Sequence, residues 1–141
     1  MTADFRDAAE RHHSDGLHLL GDGRAAGADQ QFGVAAECAL KAILVGLKAM
    51  PLGASGSPSQ RDHRVHADGI WALFATCAQG RKGVGYARLL QVPVNPFADW
   101  KIEQRYQNRG AVTADAVRRH EYAAGLAMRA MAAAVLNGDV Q

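Results

Sequence analysis

The sequence predicts an all-α protein, built as a single domain in the form of a helix bundle. Apolar residues recur every three or four positions in several long segments, and no segment shows the strict alternation of a β-strand. Alanine is the main apolar residue and aromatic residues make up only 6% of the chain. Alanine is the best helix former, and its small side chain lets helices approach closely. A length of 141 residues fits one domain.

Four helices have clear boundary signals. Asp4 and Asp7 favour the positive end of the first helix dipole, and Pro51 lies beyond the end of the second helix. Thr113 is a good N-cap for the last helix, and Asn137-Gly138 is a good C-cap pair. The predicted helices cover residues 4–20, 25–49, 65–79 and 113–136.

Two stretches between these helices are less regular. Residues 51–60, PLGASGSPSQ, have the composition of a mobile loop. Between residues 80 and 100, glycines and prolines leave room for one short helix around Tyr86–Leu90. A further short helix is predicted from Phe97 to about Asn108. The breakers in this region are Gly83, Gly85, Pro93 and Pro96.

Composition favours a cytoplasmic protein that needs no cofactor. The beginning of the chain is polar rather than a signal peptide, and the longest apolar run, Ala42 to Leu47, is far shorter than a membrane span. Cys38 and Cys77 lie in apolar helical stretches, as free thiols in a reducing compartment do. Nucleotide-binding glycine loops and Cys-x-x-Cys pairs are absent. We expect no metal either, because His63 and His66, even with His120, form only a weak candidate site.

Charge is unevenly distributed along the chain. Residues 1–60 carry five Lys or Arg and seven Asp or Glu, whereas residues 61–120 carry ten and five. An anionic partner would therefore be attracted to the middle of the chain. The alternative is that these charges simply lie on solvated helix faces. From the charge distribution alone, we favour this alternative.

Glu37 and Lys41 stand four positions apart in the second helix, with the acid first. This is the favourable orientation for a helical ion pair, which stabilises a helix by about 0.2–0.5 kcal/mol. We expect the pair to be structural, although its place in an apolar run allows one partner to reach into a groove between helices.

The segment from Arg61 to His66, RDHRVH, is the most chemically suggestive. An arginine and a histidine five positions apart can hold a phosphate and move a proton, as a metal-independent ribonuclease requires. Arg64 adds a further cation for an anionic ligand. The alternative is a polar loop that leads into the third helix.

The segment from Asp99 to Tyr106, DWKIEQRY, combines two aromatic residues with two cations. Trp100 and Tyr106 can stack on bases while Lys101 and Arg105 bind phosphates. The interpretation that we favour is that such residues anchor an irregular connection onto the bundle.

The order of these segments resembles the HEPN domain family. The second helix contains FGVAAECALKAIL, with an E-x-x-L-K core, and the third opens with a histidine in DHRVHADGIWALF. A connection ending in W-x-x-x-x-R-Y follows, and the last helix is rich in alanine. The resemblance is to a compact bacterial HEPN domain, and it covers about residues 4–136. It implies an up-and-down bundle of four or five helices that often forms a homodimer.

The resemblance implies two kinds of function. Many HEPN proteins accompany a small nucleotidyltransferase in toxin–antitoxin pairs, and others are metal-independent ribonucleases with an R-x4-6-H motif. Arg61 and His66 match that motif, but in the ribonucleases it usually opens the last helix, where this chain has Arg118-Arg119-His120 with the wrong spacing. We therefore expect a non-catalytic module that binds a nucleotide, RNA or a partner protein. The alternatives are a ribonuclease toxin and a purely structural dimerisation domain.

Overall fold

The computed structural model describes residues 3–91 and 94–141, and it has the predicted all-helical bundle. Within these residues the only strand-like pairing is an isolated bridge between Leu52 and Pro58. Pro93, one of the predicted breakers, lies outside the described residues. The α-helices are α1 (Phe5–Gly21), α2 (Ala25–Gly46), α3 (Ala67–Cys77), α4 (Gly80–Arg88) and α5 (Ala114–Leu136), and short 3-10 helices cover Arg61–His63, Ile102–Tyr106 and Arg109–Ala111.

Helix α2 is the centre of the bundle. It contacts α1, α3 and α5, and also the 3-10 helices that precede α5. Phe32, Leu40 and Ile43 on this helix are fully buried, and each such side chain stabilises the fold by about 1.5–3 kcal/mol. Most of the buried residues of α5 are alanines, at positions 116, 123, 124, 127, 130 and 134. Small side chains on α5 therefore leave space for the larger residues of α2.

Helix boundaries follow the predicted cap residues. The Asp4 carboxylate accepts a hydrogen bond from the Asp7 amide at 3.0 Å, and the Thr113 hydroxyl accepts one from Ala116 at 3.1 Å. Such caps contribute about 1 kcal/mol each. Beyond α5, Asn137 is the C-cap and Gly138 adopts the left-handed conformation, with φ of 78°. Helix α2 ends three residues before the predicted position 49, and α3 is shorter than predicted by two residues at each end.

Helix α4 corrects the prediction of a short helix around Tyr86–Leu90. It begins at Gly80, which has a φ of 77°, and it includes two of the glycines that predict a break. Gly83 is required for packing, because a Cβ there would lie 2.4 Å from the backbone carbon of Ala78. Gly83 thus permits close packing within a helix, although the glycines of this segment give it a sequence pattern typical of a loop.

The connection between α4 and α5 over residues 94–111, which we call the crossover, is also less helical than predicted. Instead of one helix from Phe97 to Asn108 it contains a turn and two 3-10 helices. The fully buried side chains of Phe97 and Trp100 fix it to the bundle. Tertiary burial thus determines its path more strongly than helical periodicity does.

The chain remains packed beyond the predicted domain end at residue 136. Val140 is buried, and the Asp139 side chain contacts Lys82 and Tyr86 of α4. None of the helices in the described part of the chain combines the length and apolar character that a membrane crossing needs.

Candidate functional site

The two segments that carry the predicted site residues contact one face of α2. Asp29, Gly33, Glu37 and Lys41 are spaced four apart and form a row along this face, which we call the α2 row. Side chains of the crossover contact Asp29 and Gly33, while His66, just before α3, contacts Glu37. The row therefore brings together residues that are far apart in sequence.

Glu37 and Lys41 form the ion pair that their spacing predicts. Lys41 Nζ lies 2.7 Å from Glu37 Oε1, and the lysine side chain is only 7% exposed. The ammonium group also lies 5.9 Å from the centre of the Phe5 ring, within the range of a cation–π contact. The pair is thus more enclosed than a surface ion pair, and it supplies a fixed carboxylate at the middle of the α2 row.

His66 uses the second oxygen of that carboxylate. Its Nδ1 lies 3.2 Å from Glu37 Oε2, and its side chain is 51% exposed. When Nδ1 donates its proton to Glu37, the lone pair of Nε2 is left to accept a proton from another group. The contact thus orients an accessible imidazole.

Arg61 lies five residues earlier, in the first 3-10 helix, and is exposed. Among the described residues, no hydrogen bond or ion pair holds its guanidinium group. Arg64, in contrast, donates from Nε to the carbonyl of Pro58 at 2.9 Å, which ties it to the preceding loop. The structure thus holds His66 and Arg64 in place but leaves Arg61 without such support.

The structure corrects the prediction that Trp100 stacks on a base. It is fully buried, and its indole N–H donates to the backbone carbonyl of Asp29 at 3.0 Å. The ring lies so close to α2 that a Cβ on Gly33 would be 2.0 Å from Trp100 Cε2. Trp100 therefore anchors the crossover, as in the alternative interpretation of this segment, because a stacking platform must have a face open to a base.

The other predicted crossover residues are exposed. Tyr106 is 78% exposed, and the Arg105 guanidinium carbon lies 4.8 Å from the centre of its ring. Lys101 Nζ lies 2.6 Å from Asp68 Oδ2 near the start of α3. This hydrogen bond and the charge of Asp68 raise the pKa of Lys101. The contact joins the crossover to the segment that carries Arg61 and His66, so we call Arg61, Lys101, Arg105 and Tyr106 the basic surface.

A buried ionic cluster was not predicted from the sequence. His120 of α5 lies between two carboxylates, with Nδ1 2.6 Å from Asp29 Oδ1 and Nε2 2.9 Å from Asp99 Oδ1. Arg119 contacts both oxygens of Asp99, at 2.8 and 3.2 Å. Gln104 donates to the other oxygen of Asp29 at 2.6 Å. We call Asp29, Asp99 and His120 the buried cluster, after Asp29 and His120, whose side chains are 0% and 2% exposed; Asp99 lies at its edge and is 49% exposed.

The charges of the buried cluster shift its pKa values in opposite directions. Burial alone would lower the pKa of His120, but the hydrogen bonds and charges of Asp29 and Asp99 outweigh burial and raise it. Hydrogen bonding to Arg119 lowers the pKa of Asp99, and His120 adds to this effect against the opposing effect of burial. Both shifts favour the charged forms, so the cluster is held by ionic attraction.

The histidines weighed as a metal site have separate surroundings. His63 is buried, with Nε2 4.0 Å from the sulfur of Cys77, whereas His66 contacts Glu37 and His120 belongs to the buried cluster. In residues 3–91 and 94–141, no three His, Cys, Asp or Glu side chains are grouped to hold a metal ion. Cys38 and Cys77 are both free thiols.

Comparisons of the chain with protein-family models, with curated proteins and with solved structures found no match.

Proposed function

We propose that this protein is a non-catalytic, HEPN-like helical module that binds the phosphate groups of RNA or of a nucleotide at the basic surface. The contact between Lys101 and Asp68 is the observation that carries the proposal, because it joins the two cationic segments. Arg61, Arg105 and Tyr106 are all exposed on the two segments that this contact joins. Arginine binds phosphate well, and an exposed tyrosine offers a ring for base stacking.

Salt dependence of RNA binding is the direct test. Binding of a short single-stranded RNA of mixed sequence is measured by fluorescence anisotropy at increasing salt, with a mononucleotide as second probe. We expect affinity to fall steeply with salt, because phosphates bound by cations release counterions. If Arg105 neutralises one phosphate of a single strand, Arg105→Ala should reduce the logarithmic salt slope by about 0.7.

Two further variants sharpen the test. Tyr106→Ala should weaken RNA binding by about 1–3 kcal/mol if the ring stacks on a base, with little change in salt slope. Arg24→Ala, which removes an exposed arginine at the start of α2, is the matched control and should leave affinity unchanged. RNA binding that is absent at low salt, or equally affected by Arg24→Ala and Arg105→Ala, would refute the proposed surface.

A metal-independent ribonuclease is the second candidate, favoured by the contact between His66 and Glu37. The carboxylate leaves the exposed imidazole able to remove the proton of a ribose 2′-hydroxyl group, and Arg61 would stabilise the charge on the phosphate. We expect no robust cleavage, because no neighbour in the described chain fixes the Arg61 guanidinium group. Preorganised charge is what makes such stabilisation effective.

Cleavage of a mixed RNA pool in EDTA decides between the two candidates. The protein is compared with His66→Ala and with His18→Ala, which removes an exposed histidine of α1. Cleavage by the unmodified protein and the His18 variant that is lost in His66→Ala would make Arg61 and His66 the active site. Binding without cleavage supports the non-catalytic module.

The proposal also includes a homodimer, as the HEPN resemblance implies. The dimer surface that we propose is the outer face of α5, where Tyr122 and Leu136 are well exposed and Met128 is partly exposed. This surface serves equally in the third candidate, a purely structural dimerisation domain. A nucleotidyltransferase is the partner protein that the resemblance implies for a toxin–antitoxin pair.

A further inference from the structure

The geometry of the buried cluster requires one proton more than a neutral imidazole and two carboxylates carry. Each ring nitrogen of His120 faces a carboxylate oxygen, Asp29 on one side and Asp99 on the other. A neutral imidazole has only one N–H, so a neutral ring would direct a nitrogen lone pair at one of these oxygens. An imidazolium ion donates to both carboxylates and fits the contacts as they stand.

The same cluster holds the crossover against the bundle. Asp99 belongs to the crossover and contacts His120 directly, while the ring of Phe97 stacks on the imidazole with centres 5.2 Å apart. Trp100 and Gln104 both bind to Asp29, through its backbone carbonyl and its carboxylate. These four attachments lie on either side of Lys101 and just before Arg105 and Tyr106. The buried cluster therefore helps to hold the crossover part of the basic surface, Lys101, Arg105 and Tyr106, against the bundle.

We propose that His120 is a positioning residue for the basic surface, and that loss of its proton loosens the crossover and weakens phosphate binding. The inference rests on the proposed function and supplies its regulation by pH. The charged groups that face the imidazole are Asp29 from α2 and Asp99 from the crossover. Arg119, on α5 itself, acts on it through Asp99. Gln104, which packs on Asp29, carries no charge.

Deprotonation has a clear physical consequence at this position. Asp29 is fully buried, and a buried carboxylate that loses its cationic partner is strongly destabilised. The two carboxylates raise the pKa of His120 against burial, so the change falls above the ordinary histidine value of about 6.5. Hydrogen bonding to Asp68 raises the pKa of Lys101, so loss of the lysine charge does not imitate the effect.

The test combines three measurements in a pH titration that starts near the ordinary histidine pKa of about 6.5 and continues upward. Proton NMR follows the ring of His120, assigned by its absence in His120→Gln. Amide hydrogen exchange, corrected for the intrinsic effect of pH, follows residues 97–107. RNA anisotropy follows binding, in a His66→Gln background so that the exposed imidazole of His66 makes no contribution. We expect exchange in residues 97–107 to rise and RNA affinity to fall together as His120 titrates.

Asp99→Asn provides a test that does not require His120 to be replaced. Removing one of the two carboxylates that raise the His120 pKa should lower its midpoint and move the change in exchange with it. Asp115→Asn, an exposed change on the same helix, is the control and should leave the midpoint in place. Exchange that does not follow the His120 midpoint, or a midpoint insensitive to Asp99→Asn, overturns the positioning role. Absence of RNA binding at every pH, with exchange still following His120, refutes the proposed function alone.

Discussion

Gly33 and Trp100 determine how closely the crossover approaches α2. The indole occupies the space that any larger side chain at position 33 would need, and its N–H satisfies the Asp29 carbonyl. Buried indoles require a partner for the N–H, and the backbone of α2 supplies one. At the scale of single residues, a missing Cβ in α2 therefore makes the anchor of the crossover possible.

Gly33→Ala should destabilise the protein by about 1–3 kcal/mol, because its Cβ would overlap the indole ring and force it outward. Gly85→Ala is the matched control, because its methyl group would meet no atom within 4 Å from the described residues beyond its own turn of helix. Alanine is also favoured over glycine in a helix interior by about 0.8–1.0 kcal/mol. Urea unfolding of both variants measures the change. Equal effects of the two substitutions would contradict the close approach of Trp100.

The buried cluster predicts a dependence of stability on pH. The folded pKa of His120 lies above the unfolded value of about 6.5, so its contribution is complete below pH 6.5 and is lost as pH rises through the folded pKa. Asp99 has a lowered pKa, so its contribution is present above about pH 3.9 and is lost as pH falls. Burial lowers the pKa of His13, so this group reduces stability as pH falls below about 6.5. Its effect on stability is opposite in sign to that of His120.

The free energy of unfolding should therefore decrease as pH rises above about 6.5 and through the raised pKa of His120, and His120→Gln should remove most of this slope. Urea unfolding at several pH values measures it. His18→Gln replaces an exposed histidine and should keep the slope of the unmodified protein. If stability still decreases with pH in His120→Gln, a group other than His120 is responsible for the pH dependence.

The candidate site was predictable where its contacts are local. The spacing of Glu37 and Lys41 leads directly to their ion pair, because four residues make about one helical turn. The buried cluster joins Asp29 to His120 across 91 positions, and no periodic pattern connects them. Its one signal is His120 itself, which interrupts the apolar line of α5. A histidine in a buried line requires hydrogen-bond partners, but the sequence does not show which residues provide them.

At the scale of elements, the long helices were predictable and the connections were not. Helices α1, α2 and α5 have strong periodicity, and α1 and α5 also have clear caps. Helix α4 has three glycines, and it forms a helix because Gly83 fits against Ala78 and Tyr86 is buried. These are tertiary effects that override local propensity.

The segment after α5 is expected to stabilise the bundle. Asp139 contacts Lys82 at 2.8 Å and the Tyr86 hydroxyl at 2.5 Å, while Asn137 donates to the same hydroxyl at 3.0 Å. Val140 is buried against the core. The closing segment therefore joins α4 to α5, although its sequence, NGDVQ, has the composition of a frayed terminus.

Removal of residues 137–141 should cost roughly 2–4 kcal/mol, because Val140 no longer buries its side chain and the hydrogen bonds to α4 no longer form. Removal of Gln141 alone, which is exposed, is the control and should have little effect. Thermal unfolding followed by circular dichroism compares the two. A full-length melting temperature in the longer truncation would show that the segment contributes nothing to the fold.

At the scale of the whole molecule, α5 presents two different faces. Its inner face is alanine-rich and packs on α2, whereas the outer face combines apolar and charged residues around Gly125. Space is open at Gly125, since a Cβ placed there would meet no atom within 4 Å from the described residues beyond its own turn of helix. Neither Glu121 nor Arg129 has a hydrogen bond or ion pair within the described residues. A second helix could approach closely at this point.

In the homodimer proposed above, a second copy of α5 is the partner that the charges of this face would complement. When two α5 helices cross antiparallel at Gly125, residues equally distant on either side of it face each other. Glu121 then faces Arg129 of the other copy, four positions from the centre in each direction. Tyr122 faces Met128, three positions from the centre. The symmetric pairing places two ion pairs and two apolar contacts around one close approach.

Reversal of charge tests this dimer. Glu121→Arg and Arg129→Glu should each weaken dimerisation by about tenfold, because each places like charges opposite one another twice in the dimer. The double variant restores opposite charges and should recover the dimer. The two positions are eight residues apart on one helix, too far to compensate within a chain, so recovery identifies contact between copies. Sedimentation at micromolar concentrations measures the association, with Asp15→Arg on α1 as the control reversal. A monomer at all concentrations, or a double variant no better than the single ones, rejects this face as the dimer interface.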